Sequence, residues 1–427
     1  MRIVFASLGS LGDLHPILAM AEASRERGHT PVVAASETYR DYIHSLGFIF
    51  CVIRPDFEPD PVALERLFDP RKGPERMLRE EIFPRARETY KDLIEASCGA
   101  DFLVVGELLY VAPLVADKLG IPWANVILAP TSFLSASDPC ILAPAPSLHR
   151  LRHLGSWPHR LIFALGRMVT KKWGKPLQLF REELGYEAGP SAVFDGKHSP
   201  MLVLAMFPAF LAKLQPDWPA KTVQIGFPFF AQPGRAETAK KVQTFLAKGE
   251  PPAVFTLGST VVHFVSDFYL WAADAAVQLG RRAILLMGKN AIPKDLPDNI
   301  LAIDYAPLES VLPHAAAVIH QGGIGTCAEA MRAGIPSLVI PFGFDQPDNG
   351  DRLRRLGVGH VLPRNRLTRD SLHASLRALL ADHAMAKRAR SFASQIHPAS
   401  DLAESIDEIE RVRKADHRQR VATEVAA

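Results

Sequence analysis

The sequence predicts an α/β protein made of two doubly wound parallel sheets that face each other across a cleft. Three observations carry that prediction. Short apolar runs alternate with amphipathic helical stretches through both halves of the chain, which is the pattern of parallel βαβ units. A stretch from Gly226 to Glu250, with Pro, Gly and small polar residues, separates the two series. At 427 residues the chain is too long for one ordinary core, so two domains are the expected count.

The first series reads IVFAS, a helix from about Leu14 to Gly28, PVVAA, a helix to Leu46, and FIFCVI. A charged helical stretch, Glu75 to Ala96, leads to DFLVVG and WANVIL. The Pro-rich APTSFLSASDPCILAPAP comes next, and Pro at this density cannot donate to a central ladder, so it reads as a loop. After the boundary the alternation resumes with AVFTL, a helix through Trp271, AILLM, ILAID, AAVIH, SLVIP and VGHVL. The domains are expected at residues 1–230 and 231–398. Residues 399–427 are expected to supply a helix, about Ala399 to Arg413, that crosses back onto the first domain, with a frayed tail from Lys414.

Composition narrows the function classes. Hydrophobic content of 48% and charged content of 22% are those of a globular protein. A net charge of +3, without a Lys/Arg cluster interleaved with aromatics, argues against a nucleic-acid partner. Cys51, Cys98, Cys140 and Cys327 form no CxxC pair and no disulfide framework, which fits a reducing compartment. The apolar run after Met1 and Arg2 is broken at Gly9 and Gly12, too early for a signal segment. No stretch approaches the ~20 apolar residues that span a bilayer, and a cytoplasmic location is expected. One segment leaves two readings open. HRLRHLGSWPHRLIFALGRMVTKKWGK, residues 149–175, is either a helix packed on the first domain with a solvated basic face or a surface that rests on anionic lipid.

The chemistry concentrates at the strand–helix junctions. VIHQGGIGT passes from a buried strand through Gly322, Gly323 and Gly325 into a helix expected to start near Thr326. Glycines permit close approach of the backbone, and the free N–H groups and dipole of a helix start favour an anion such as a diphosphate. His320 and Thr326 add side-chain donors. The next strand delivers Asp345 and Gln346 to the same sheet edge, and a carboxylate beside an amide suits a ring of sugar hydroxyls. FTLGST is the matching junction at the start of the second series, with Gly258 for close approach and Ser259 and Thr260 as hydroxyl donors or helix caps. Tyr305 follows another strand and reads as a base-stacking ring or as a rim aromatic.

In the first half, LGSLGDLHP opens the first helix. Its spacing is GxxG, not the GxGxxG of dinucleotide sites. Its content is Asp13, either an ordinary helix cap or a carboxylate presented to the cleft. Gly12, His15, Glu107 and Leu108 are expected on the first domain's side of that cleft. No clustered metal site and no cofactor is expected, so a leaving group would be stabilised by backbone dipoles and His320.

On these residues the chain resembles the family 1 nucleotide-sugar glycosyltransferases, whose two Rossmann-like domains form the GT-B fold. Among them it is most similar to the bacterial subgroup around the rhamnosyltransferases that make rhamnolipids. The resemblance covers GSLGDLHP, VVGELL, KLGIPW, FPAFLAKLQPDWP, IGFPFF, FTLGST with DFY after it, YAPLESVLP, and HQGGIGT through DQPDN. It implies transfer with inversion, without a metal. The position held by Asp13 is the family's general base, histidine in some members and aspartate in others. With a reference pKa of ~3.9 an aspartate there would be ionised but weakly basic; His15 ranks well below it. The resemblance further implies His320, Thr326 and Ser259 as phosphate contacts, Tyr305 as the base-stacking position, Glu329 as a ribose hydroxyl acceptor, and Asp345 with Gln346 as sugar contacts. Asn349 is either an assistant to Asp345 or a solvated helix residue. An acidic Glu329 favours a uridine diphosphate sugar over a deoxythymidine diphosphate sugar. The Leu108 to Val115 segment and the loop from Pro130 to Pro146 favour an apolar acceptor, whether a hydroxy-fatty acid, a polyketide-like product or a phenol. A sugar-nucleotide epimerase of the same shape is the alternative enzyme. A nicotinamide oxidoreductase leaves HQGGIGT and DQPDN unexplained, and a binding protein that has lost its chemistry would keep only the cradle.

Overall fold

A computed structural model describes residues 1–426 apart from 57–59, 188, 190, 233–235, 264, 266 and 294. Two sheets, parallel throughout, carry the fold. The first holds β1 (Arg2–Ala6), β2 (Thr30–Ala35), β3 (Ile49–Val52), β4 (Phe102–Val105), β5 (Trp123–Ile127), β6 (Val203–Met206) and β7 (Thr222–Ile225) in the order β3-β2-β1-β4-β5-β6-β7. The second holds β8 (Ala253–Thr256), β9 (Ala283–Leu286), β10 (Ile300–Ile303), β11 (Ala317–His320), β12 (Ser337–Val339) and β13 (Gly359–Val361) in the order β10-β9-β8-β11-β12-β13. Both faces of each sheet are covered, as parallel sheets require. Thus alternate residues of β1 enter opposite cores, Ile3 and Phe5 on one side and Val4 and Ala6 on the other.

Two strands escaped the sequence reading. VLAM and TVQI, which form β6 and β7, pair in parallel beside β5 and extend the first sheet past the Pro-rich loop. β6 is fully buried and lies between Pro200 and Pro208, a short apolar run bounded by turn residues that could have been recognised. The expected helix from Glu75 to Ala96 is broken into four pieces, because Pro84 lies within its span.

Six helices position the site: α1 (Leu11–Glu26), α2 (Trp157–Lys171), α3 (Gly258–Val261), α4 (Ile324–Ala333), α5 (Gln346–Leu356) and α6 (Pro398–Ala426). α6 does not end in a frayed tail from Lys414, for the helix runs on to Ala426. Its Ile406, Ile409 and Val412 are buried in the core of the first sheet. Arg27 pairs with Asp407, and His29 meets Glu410 at 3.0 Å.

The two sheets meet through an apolar cluster of their own. Ile127, Phe133, Phe207 and Trp218 from the first half pack with Cys327, Met331, Val339 and Leu353 from the second. Beside it lies a buried ion network. Asp348, on α5, accepts from the Arg352 guanidinium at 2.7 Å, from Thr131 Oγ1 at 3.1 Å and from the Ile141 backbone N–H at 2.9 Å. Arg352 reaches on to Asp138 at 2.7 Å. A buried pair of this kind adds little over an apolar replacement, but removing one partner strands a charge and costs about 3–5 kcal/mol. The Pro-rich loop of the first half is therefore fixed to the helix that follows Asp345 in the second.

Candidate active site

In each sheet the strand order reverses at one place, between β1 and β4 and between β8 and β11. Ligands of open α/β sheets bind beyond the carboxyl ends of strands at such a point. At the carboxyl ends of β1, β4, β8, β11 and β12 lie Asp13 in the first turn of α1, Glu107, Ser259 in α3, His320 as the last residue of β11, and Asp345.

The junction after β1 is closed by its own side chain. Ser10 is the N-cap of α1, and Asp13 is the third helical residue, its Oδ2 accepting from the Ser10 N–H at 2.8 Å and the Ser10 hydroxyl at 3.1 Å. This is a capping box. The cap reading holds for Asp13, whose carboxylate is half-buried and within reach of the Glu107 charge. Gly9 is required here. It sits at φ +125°, and a Cβ on it would meet Asp13 Oδ2 at 2.4 Å. Burial, reinforced by the Glu107 charge and opposed by the Ser10 bonds, pushes Asp13 up to about 6. That corrects the expectation of a weakly basic carboxylate, because a pKa nearer the working pH makes a stronger base that is still mostly ionised at pH 7.

The junction after β11 is built differently. α4 starts at Ile324, two residues earlier than expected, with Gly323 as its N-cap and no side-chain cap bond. Gly325 therefore lies within the first turn, where N–H groups have no helical partner, and a Cβ on it would meet only open space. Gly322 is at φ +93°, and any Cβ there would lie 2.6 Å from Val339 and 3.0 Å from the Gln346 carbonyl. His320 is buried, and its Nδ1 accepts from the Gly322 N–H at 3.1 Å. Burial lowers its pKa to about 3, so the ring is neutral and its proton sits on Nε2. That Nε2 has no partner among the described residues, an orphaned donor beside an uncapped helix start. Thr326 is buried in the same turn.

The loop after β12 is a second tight turn. Phe344 takes φ +54°, a strained value for a residue with a side chain, immediately before Asp345. Asp345 caps α5 by position, and its Oδ2 accepts from Asn349 Nδ2 at 2.6 Å. The same amide reaches the Gly322 carbonyl at 3.0 Å. Asn349 is thus buried and not a solvated helix residue, and it ties the sugar side to the cradle. Burial first, then the Asp13 and Glu107 charges, push Asp345 up to about 7, against the lowering effect of Asn349. Carboxylates from the two halves of the molecule are therefore near enough to feel each other's charge. Gln346 Oε1 accepts from the Phe342 and Gly343 amides at 2.8 and 3.3 Å, so its contribution to a ligand is restricted to its N–H donors.

The remaining expected residues are spread around this centre. Gly258 belongs to the short α3, where Ser259 is exposed and Thr260 half-buried. Buried Gln321 crosses between the junctions, its Nε2 lying where a Cβ on Gly258 would be. Glu329 is held by Arg332 at 2.6 Å, and burial, with Glu309 adding to it, raises it to about 7 against that partner. Tyr305 is 40% exposed and its hydroxyl donates to Gln232 Oε1. The other end of the Gln232 side chain meets His15, which stacks on Phe230 and is lowered to about 4 by burial. His15 accordingly faces the segment between the sheets. Gly12 is exposed at the start of α1, and Leu108 packs against the core behind β4.

Several functional neighbours had no signal in the sequence. Lys197 lies 3.5 Å from Glu107 and donates to the Ser132 carbonyl at 2.8 Å, while the Ser132 hydroxyl donates to Glu107 at 2.5 Å. Asp348 and Arg352 read as ordinary charged helix residues, and only the packing of the loop against α5 reveals them. Among the described residues, no group of three or more His, Cys, Asp and Glu is arranged to hold a metal ion.

Known proteins resemble the chain in sequence and fold. The chain is 32% identical over 415 residues, spanning 91% of its length and 92% of the relative, to the O-mycaminosyltylonolide 6-deoxyallosyltransferase of Streptomyces fradiae. The chain belongs to the family 1 nucleotide-sugar glycosyltransferases of GT-B fold. Residues 271–410 match the family described as the erythromycin biosynthesis protein CIII-like C-terminal domain. This glycosyltransferase is also 23% identical over 419 residues to the NDP-glycosyltransferase YjiC of Bacillus subtilis, with 97% of each chain covered. Its fold is that of the spinosyn forosaminyltransferase SpnP (TM-score 0.71, 18% identity, 97% and 99% covered). The glycosyltransferase VinC, solved in complex with dTDP, shares it as well (TM-score 0.66, 20% identity, 97% and 100% covered). Nothing in these comparisons supports the epimerase alternative.

Proposed function

We propose that this glycosyltransferase moves a hexose from a pyrimidine nucleoside diphosphate to a hydroxyl of an apolar natural-product acceptor, with inversion, and that Asp13 is the base. The observation that carries the reading is the pairing of an open cradle with a facing carboxylate. The orphaned Nε2–H of His320 and the uncapped start of α4 offer donors to a diphosphate, and Asp13 stands close enough to Asp345 to raise its pKa. In the reaction the acceptor oxygen forms its bond to the anomeric carbon as the bond from that carbon to the diphosphate oxygen breaks. The acceptor proton goes to Asp13, and the electron pair of the broken bond leaves on the diphosphate, where amide N–H groups and His320 receive it. Asp345 and the amide of Gln346 hold sugar hydroxyls, Tyr305 stacks on the base, and Ser259 and Thr326 supply further phosphate donors.

Two donor readings follow from different observations. The dTDP held by VinC supports a deoxythymidine diphosphate sugar. The acidic Glu329 on the first turns of α4 supports a uridine diphosphate sugar, although Arg332 already occupies one of its oxygens. On the acceptor side, the Streptomyces relative's name supports a polyketide-type product, and the resemblance to rhamnolipid-type members keeps a hydroxy-fatty acid in view. The test is a mass-spectrometric screen of dTDP- and UDP-hexoses against a macrolactone, a hydroxy-fatty acid and a phenol, with donor-only controls. A glycoside from one pair supports the reading. A donor sugar altered without any acceptor, or no glycoside from any pair, would reject it.

A further inference from the structure

The helix α2 presents an unpartnered apolar face with a one-sided charge. Pro158, His159, Phe163 and Thr170 turn toward the first domain, where Thr170 meets the Ser191 hydroxyl at 3.1 Å. On the opposite face Trp157, Leu161, Leu165 and Met168 are 59%, 58%, 59% and 67% exposed. Their spacing of four, four and three residues aligns them in one stripe along a helix roughly 22 Å long. Both expected features are present, a face packed on the first domain and exposed basic residues, and an apolar stripe lies between them.

The charge is as informative as the stripe. Between Asp138 and Glu182 the chain has no acidic residue, while Arg150, Arg160, Lys171, Lys172 and Lys175 are all exposed there. None of these five forms an ion pair among the described residues; Arg152 and Arg167 do pair, with Asp351 at 3.4 Å and Asp195 at 3.1 Å. A second copy docked on the same face in a symmetric contact would bring this basic flank against its own image without a carboxylate to answer it. An anionic lipid surface answers both features, with acyl boundary for the stripe and phosphates for the flank.

We propose that α2 is a docking surface for anionic membrane, with Trp157, Leu161, Leu165 and Met168 entering the headgroup boundary and Arg160, Lys171, Lys172 and Lys175 meeting lipid phosphates. No helix among the described residues is long and apolar enough to cross a bilayer, so the contact is peripheral, and it stands independently of the donor and acceptor readings above. The test is cosedimentation of the full chain with vesicles of phosphatidylcholine alone and of phosphatidylcholine mixed with phosphatidylglycerol. Binding at least tenfold stronger to the mixed vesicles, weakened by salt and by K171E/K172E, and lost in L161S/L165S, is the expected result. Size-exclusion chromatography without lipid provides the second readout. Equal recovery in the supernatant with both vesicle types overturns the proposal, as does a dimer of the unaltered chain that L161S/L165S converts to monomer.

Discussion

The junction after β1 and the junction after β11 are the same device, a strand, a glycine turn and a helix start, used in opposite ways. After β1 the helix start is answered from within, because Ser10 and Asp13 cap one another. After β11 no side chain caps the helix, glycines stand at 322, 323 and 325, and the Nε2–H of the buried His320 has no partner among the described residues. On the proposed function, one local motif divides the work of a transferase: the filled junction holds a carboxylate in place with its basicity raised by burial, and the uncapped one offers its helix-start N–H groups to the diphosphate.

The comparison can be broken most severely at the glycines. In G322A the new methyl would collide with Val339 and the Gln346 carbonyl in a backbone conformation that disfavours it, so nucleoside diphosphate affinity is expected to fall by ~100-fold or more, with reduced thermal stability. G12A, in the filled junction, has only Ser10 Oγ at 3.4 Å as a neighbour and should leave both quantities nearly unchanged. Calorimetric titration and melting curves of the two variants decide whether the junctions differ as described.

A gentler pair sharpens the same point. G325V places a side chain into open space at the mouth of the cradle, and H320A removes the orphaned donor. Each should weaken diphosphate binding by about tenfold, the range of one hydrogen bond to a charged group, while the melting temperature of G325V stays close to that of the unaltered chain. Unchanged affinity in both would put the diphosphate elsewhere.

The smallest effect is in pH. Asp13 works as the anion, so the rate should fall as pH drops through about 6, and E107Q, which removes a like charge beside it, should move that limb to lower pH. Stability responds with the opposite sign. Asp13 and Asp345 both titrate higher in the folded chain than in an unfolded one. The folded state therefore binds their protons more tightly, and these two groups add stability as pH falls from about 7 toward 4. Pre-steady-state rates and melting curves across that range measure the two trends.

Much of this was legible in the sequence because it is local. The alternation of apolar runs specified parallel sheets, and HQGGIGT through DQPDN specified a glycine turn into a helix and a second loop at the same sheet edge, since turn glycines and helix starts are set by neighbours in the chain. What was not legible depends on packing between distant segments. The burial that raises Asp13 comes from elements brought together only by the fold, and so does the Lys197, Ser132 and Glu107 cluster. Asp348 and Arg352 sit in a helix rich in charged residues, which ordinarily face water, and their burial follows from the Pro-rich loop folding over α5. Asn349 was ambiguous for the same reason. β6 and β7 were missed because a Pro-rich loop and a basic helix interrupt the strand series before it resumes.

The central claim is that Asp13 deprotonates the acceptor while the α4 cradle independently holds the leaving group. It is tested most directly by measuring turnover and donor affinity together in D13N, which keeps the shape of the capping residue and removes the base. Turnover should drop by ~100-fold or more with the dissociation constant of the nucleotide sugar unchanged. Turnover equal to that of the unaltered chain would contradict the account.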